Sequence, residues 1–372
     1  MPENKRQHYV PQFYLRNFTS CGASRSISVY LIDHDRIVRN ASLREQCSRG
    51  YFYGKNLDTE RGLSGLEGIF SSVFKKVIVT TEELSADDLD CLRSFVVLQY
   101  LRTEAAAKRF NLGMNEMLRG IPEAQEELTS TAYHQVSQFI SVLPTVGDLM
   151  VKVIRVDCEG GFFASDDPVC LFNKLEAQRN FRFDFYSCGI GSAGILIWCP
   201  ISPKYGVLVY DNDVYKVGGN EDIVSLKDWK DMESLNLIQL QTANKVIFVP
   251  SGSKLEYLSE LKSKVESVRI KPRVVINHAI KVESEVPGQQ HFKVVDFEEI
   301  ELMAKENGGA ETLVHSETRI YKPSYWPKFI RKRLKPKFID TNSRAGLKRR
   351  GEVNRHFGMF QALSQSSEQF EI

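Results

Sequence analysis

The feature that most restricts how this chain can fold is a change of hydrophobic period at Pro144. Upstream, Leu63, Leu66, Phe70, Val73, Phe74 and Val77 recur at helical spacing after Thr59, a residue able to cap a helix. A second helix is predicted from Ser85 through Leu92, Phe95, Val96 and Leu101 to about Met117, and a third from Pro122 to Leu143. Downstream come short β-like runs, Met150–Val156, Gly161–Ala164, Val169–Phe172, Gly194–Cys199 and Gly206–Tyr210, with turn residues between them. Helical and strand periods in separate blocks predict an α+β fold, a helical layer packed on a mainly antiparallel sheet.

The flanking segments add smaller elements. His8–Phe18 is a short opening segment, and Ile27, Val29 and Leu31 alternate as a strand. Ser225–Asn244 and Ser253–Val265 read as helices, with a strand at Val246–Val249 between them and a β-branched run at Arg269–Ile276. These elements group into a main α+β domain over 1–265, a β-rich extension over 266–315 and a basic, partly disordered tail over 316–372.

Composition excludes several classes. The apolar share is 42% and the charged share 26%, as in ordinary globular proteins. The N-terminus carries charges with no apolar stretch behind them, and the longest apolar run, Gly194–Ile201, is too short to span a bilayer. Seven cysteines without a Cys-x-x-Cys pair suit reduced thiols, so a cytoplasmic location without a transmembrane span is expected. The net charge of +2 hides an asymmetry: between Tyr321 and Phe360 twelve Lys and Arg residues face only Asp340 and Glu352.

Polar residues interrupt the apolar stripes at three places. Glu67 falls among Leu63, Leu66, Phe70 and Phe74, where a carboxylate needs a cationic partner, either Arg102 or Arg16. The next helix continues Leu92 and Val96 into Gln99, Arg102 and Thr103, and the late helix places Asn236 in line with Trp229, Met232, Leu240 and Ala243. Two strand ends add Ser165-Asp166-Asp167-Pro168 and Ser202, both of turn-forming composition. Gly189-Ile190-Gly191-Ser192-Ala193-Gly194 matches the dinucleotide fingerprint in letters, but a strand pattern follows where a helix would have to hold the pyrophosphate, so it reads as a loop.

The opening His8-Tyr9-Val10-Pro11-Gln12-Phe13-Tyr14-Leu15-Arg16-Asn17-Phe18 resembles the defining segment of a bacterial family catalogued as domain of unknown function 4238. Further pieces follow in the family's order: Phe52-Tyr53, Glu60 and Glu67, Gln99 with Arg102-Thr103, Ser165 to Val169, Pro200 to Pro203, and Asn236 followed by Ala243. The resemblance covers Gln7 to Pro250 and departs from the family at Glu104, commonly Pro, and Asp167, commonly Asn. It implies that these positions form one unit, and it brings no activity or cofactor with it.

Two functions compete. In the first, His8, Glu67, Arg102 and Asp166 are catalytic and Arg16, Gln99, Ser165, Ser202 and Asn236 bind substrate, in a nuclease or other phosphodiester hydrolase whose setting would be bacterial defence or a toxin effector. A divalent metal enters this reading if His8, Glu67 and Asp166 converge. In the second, the protein is no enzyme and its basic tail binds nucleic acid, with Tyr325, Trp326, Phe329 and Phe338 stacking on bases between the cations.

Overall fold

The computed structural model of the protein describes residues 6–19, 25–55, 57–80, 83–117, 131–180, 182–269, 274–282, 291–307, 312–323, 325–341 and 346–351. The expected start of the third helix at Pro122 and the Ser/Gln-rich stretch beyond 351 lie outside them. The fold is α+β with mostly antiparallel sheets, as the two hydrophobic periods predict.

The N-terminal half runs β1 (Arg6–His8), α1 (Gln12–Arg16), the hairpin β2 (Ser26–Leu31) and β3 (Arg36–Ser42), then β4 (Ser48–Gly50), which pairs antiparallel with β1. Three longer helices follow: α2 (Asp58–Lys75), α3 (Ala86–Leu101) and α4 (Glu104–Met117). Helix α2 starts at Asp58, so the predicted cap Thr59 lies inside its first turn. Ser85 does cap α3, in a reciprocal capping box with Asp88. The single helix predicted from Ser85 to Met117 is broken at Arg102–Thr103, where the Thr103 hydroxyl accepts the Ala106 N–H at 3.1 Å and restarts the chain as α4. The helices α5 (Thr131–Ser137) and α6 (Phe139–Val142) complete this layer.

After Pro144 come β5 (Met150–Val156), β6 (Ala164–Ser165), β7 (Cys170–Phe172), the short α7 (Lys174–Arg179), β8 (Phe185–Ser187), β9 (Leu196–Pro200), β10 (Tyr205–Tyr210), β11 (Tyr215–Val217) and β12 (Ile223–Leu226). The central sheet has the order β12-β5-β10-β9-β7, antiparallel except for the β12–β5 pair. Its strands other than the edge strand β12 are buried almost throughout because helices cover one face and later elements the other. The Gly189–Gly194 segment is a turn, with the Gly194 N–H donated to Asp211 at 2.7 Å.

The remaining elements are α8 (Trp229–Thr242), β13 (Val246–Phe248), α9 (Leu255–Arg269), β14 (Val274–Val282), β15 (His291–Val295), α10 (Phe297–Asn307), β16 (Thr312–Tyr321), β17 (Ile330–Lys332), β18 (Ile339–Asp340) and β19 (Leu347–Lys348). They build the sheets β3-β2-β13-β6 and β15-β14-β16-β8. The division expected near residue 315 falls inside β16, which pairs with both β14 and β8. The described part of the basic segment is laid against the body: β17 pairs with β11, while Trp326, Phe329, Ile330, Phe338 and Leu347 pack on the core.

Helices α1, α2 and α3 are joined by an aromatic cluster in which Phe74 and Phe95 meet edge to face at 4.7 Å and Tyr14 stacks on Phe95 at 5.8 Å. Such pairs contribute about 0.5–1.5 kcal/mol each beyond their burial. The Tyr14 hydroxyl donates to the Pro200 carbonyl at 2.6 Å and so ties α1 to the end of β9. Among the described residues no helix is long and apolar enough to cross a membrane.

Candidate active site

A cavity of about 390 Å3 opens between the β1–α1 segment and α2. His8, Gln12 and Arg16 line it from one side, and Glu60, Ser64, Glu67 and Ser71 from the other. The second set recurs at three- and four-residue steps, so it forms one stripe along α2. The apolar residues between them, Leu63, Phe70 and Phe74, are buried in the core. One helix thus supplies both a packing face and a polar wall.

Arg102 stands behind that wall. Its guanidinium is almost wholly buried and donates to Glu67 at 2.9 Å, to the His8 carbonyl at 2.8 Å and to the Tyr53 hydroxyl at 3.2 Å. A buried cation persists only with such compensation. Tyr53 is held in turn: its N–H donates to Gln7 Oε1 at 2.6 Å, and Gln7 Nε2 donates to the Gly54 carbonyl at 3.2 Å. The expected pairing of Glu67 with an arginine is therefore present, and Arg102 is the partner. Arg16 is exposed at the cavity, 3.5 Å from Gln12 Oε1.

Two groups lining this cavity are shifted in opposite directions. Burial holds His8 below its ordinary value despite the Arg44 carbonyl, and the charges of Arg102, Arg6 and Arg44 press the same way. Its Nε2 lies 3.0 Å from the Arg44 carbonyl, which can only accept, so Nε2 carries the proton and Nδ1 is the basic nitrogen. The Gln12 amide nitrogen is also 3.3 Å from Nε2, a contact that would be a hydrogen bond only in the other tautomer. Glu60 is pushed up, first by burial and further by Glu67, with Arg102 opposing. Its Oε2 is buried without a hydrogen-bond partner, which favours the neutral acid.

The strand-end residues form a separate cluster. Both oxygens of Asp166 accept main-chain N–H groups, from Asn244 and Lys245 at 2.9 Å each, so this carboxylate holds the turn between α8 and β13. Burial raises Asp166 to about 6 against those hydrogen bonds. Asp167 accepts from the Thr103 hydroxyl at 2.8 Å and pairs with Arg109 at 2.7 Å. Tyr100, Arg109, Asp167 and Cys188 border an internal space of about 30 Å3, room for one water. Ser165 accepts from the Asp167 N–H and from Gln239 Nε2.

His8, Glu67, Arg102 and Arg16 are thus brought together, and Asp166 is not. Among the described residues no group of three or more His, Cys, Asp or Glu side chains could hold a metal ion, so His8, Glu67 and Asp166 do not converge as a metal site would require. Three residues expected to bind substrate hold main chain. Gln99 donates to the Tyr9 carbonyl at 3.0 Å, Ser202 accepts the Tyr205 N–H at 3.0 Å, and Asn236 joins the Gly161 carbonyl to the Phe163 N–H at 2.9 Å each. Glu60 and Gln12 were missed as site residues by the sequence reading. Seven-residue spacing from Glu60 to Glu67, two turns on one helix face, was the available signal.

No curated protein and no solved structure matches the chain. The family described as protein of unknown function (DUF4238) matches over residues 6–253, a span that holds every residue of the cavity and of the Arg102 network, and the chain belongs to that family.

Proposed function

We propose that the protein is a hydrolase of phosphodiesters, with the His8 cavity as its reaction site. The observation that carries this reading is the opposed shift of His8 and Glu60 on the lining of one cavity. Separated acid and base are what hydrolysis near neutrality requires. Neutral His8 takes a proton from the attacking water through Nδ1, and Glu60 gives its proton to the departing oxygen. Arg16 neutralises the phosphate, and Arg102 positions His8 through its carbonyl while holding Glu67. A polyanionic substrate is supported by the exposed cations Lys328, Arg331, Lys332, Lys335, Lys337 and Arg350 elsewhere on the surface.

The test is cleavage of labelled single-stranded DNA and RNA, and of bis(4-nitrophenyl) phosphate, by full-length protein with and without Mg or Mn. Cleavage should fall on the order of 100-fold or more in His8→Ala and in Glu60→Gln while the melting temperature holds. If the wild-type protein turns over none of these substrates in any condition, the reading is wrong.

The same exposed cations favour a second reading, a nucleic-acid-binding protein without turnover. Trp326, Phe329 and Phe338 pack inward, so this surface would grip phosphates and not stack on bases. Salt-dependent binding without cleavage would decide for it.

A further inference from the structure

A groove of about 790 Å3 shares no residue with the His8 cavity. Its walls come from the loop after β5, the Pro203–Lys204 turn, the first turn of α8, and the loop leading into α9. The loop is tightly built. Gly160 has φ +105°, and a Cβ there would meet Met232 Cε at 2.8 Å. A Cβ on Gly161 would meet the Pro203 carbonyl oxygen at 2.9 Å, and buried Asn236 bonds both Gly161 and Phe163.

The lining has three kinds of chemistry. Trp229 leaves 53% of its surface exposed and lines the groove, with Lys230 Nζ 5.8 Å from its ring centroid. Tyr257 is fixed by a hydrogen bond to Glu233 at 3.2 Å, and Glu233 is itself paired with Lys264 at 3.1 Å. Lys204, whose ammonium donates to the Gly160 carbonyl at 3.4 Å, Lys254 and Glu159 supply the other charges on the lining.

We propose that this groove binds a nucleoside phosphate. The base stacks on Trp229 beside Tyr257, the phosphate meets Lys204 and Lys254, and the ribose hydroxyls donate to Glu159. Each part answers a group on the wall: a flat ring for the exposed indole, an anion for the lysines, and a diol for the carboxylate, the usual acidic partner of ribose. The volume lies within the range of sites for small ligands. The site stands apart from the hydrolase reading, since neither His8 nor Glu60 touches it.

Titration of full-length protein with AMP, adenosine and deoxy-AMP, followed by calorimetry and tryptophan emission, tests the proposal. Of the three tryptophans, Trp198 is buried and Trp326 is packed on the core, so saturable quenching by AMP would report Trp229. Trp229→Ala should weaken AMP binding at least about fivefold, as loss of one base–aromatic stack does. The double variant K204A/K254A should weaken AMP and spare adenosine, and Glu159→Gln should remove the preference for AMP over deoxy-AMP. His8→Ala should bind AMP as the wild type does, which separates this site from the hydrolase reading. No heat and no quenching at millimolar AMP, or equal affinity in Trp229→Ala with its fold intact by circular dichroism, would overturn it.

Discussion

Arg102 and Thr103 are adjacent in the chain, yet their side chains serve two different polar clusters. Arg102 reaches Glu67 at 2.9 Å, and Thr103 reaches Asp167 at 2.8 Å. The break between α3 and α4 makes this possible, because a continuous helix would place neighbouring side chains about 100° apart with no freedom to choose.

Removal of Arg102 should therefore cost more than one hydrogen bond. Arg102→Met leaves Glu67, the His8 carbonyl and Tyr53 without their donor. Glu67 is partly exposed, with 28% of its side chain accessible, so the destabilisation is expected at about 2–4 kcal/mol, somewhat below a fully buried pair. Urea unfolding of Arg102→Met, Glu67→Gln and the double variant would measure it. The two single effects, added, should exceed that of the double variant, and simple additivity would mean that the pair carries no coupling.

If the cavity is the reaction site, its pH profile follows from the two shifts. The base His8 must be neutral, and its value lies below 6.5, so activity should already be rising below that pH. The acid Glu60 must be protonated, and its value lies above 4.5, so activity should decline on the alkaline side as it ionises. A bell bounded by these two ionisations is expected in kcat/KM. Glu60→Gln should remove the alkaline limb and keep the acidic one. Two unchanged limbs in that variant would exclude Glu60 as the acid.

Asp166 gives a pH dependence of stability with a definite sign. Its folded-state value is raised from 3.8 to about 6, so the folded protein binds the extra proton. The contribution is present below the unfolded value and is lost as pH rises through the folded one. Between these values wild-type stability should fall relative to that of Asp166→Asn. Denaturation midpoints across that window would check it, and parallel curves would contradict the raised value.

The exposed cations from Lys328 to Arg350 can be tested by charge alone. If the protein binds nucleic acid through them, neutralising Arg331, Lys332 and Lys335 should flatten the salt dependence of that binding, by about 0.9 in log–log slope for each duplex phosphate that goes without its cation. Competition binding at several salt concentrations would show it. An unchanged slope, or no binding at all, would count against a nucleic-acid role for these cations.

The change of period at Pro144 made the α+β class legible, and the Glu67 carboxylate inside an apolar stripe made its arginine partner legible. Both are local patterns with a tertiary consequence. Glu60 escaped because it precedes that stripe, in the first turn of α2, and it meets His8, Gln12 and Arg16 only across a cavity that the fold creates. Arg109 looked like any helix cation, and only the strand end at Asp167 gives it a buried partner. The aromatics between the cations of the basic segment suit base stacking and inward packing alike in the sequence, and only the fold shows which of them meet the core. Trp326, Phe329, Ile330, Phe338 and Leu347 fall between its cations, the mark of a strap with one face inward.

Near the end of that strap sits Arg349, which is 1% exposed and donates to Asp148 and to the carbonyls of Thr145 and Ile190. The pairing with Asp148 spans 201 residues. During synthesis the sheet's own strands emerge long before Arg349, so this contact can close only late. Such distant closure slows folding, and a nascent chain stopped short of Arg349 would hold the whole His8 cavity in sequence but lack the latch on its sheet.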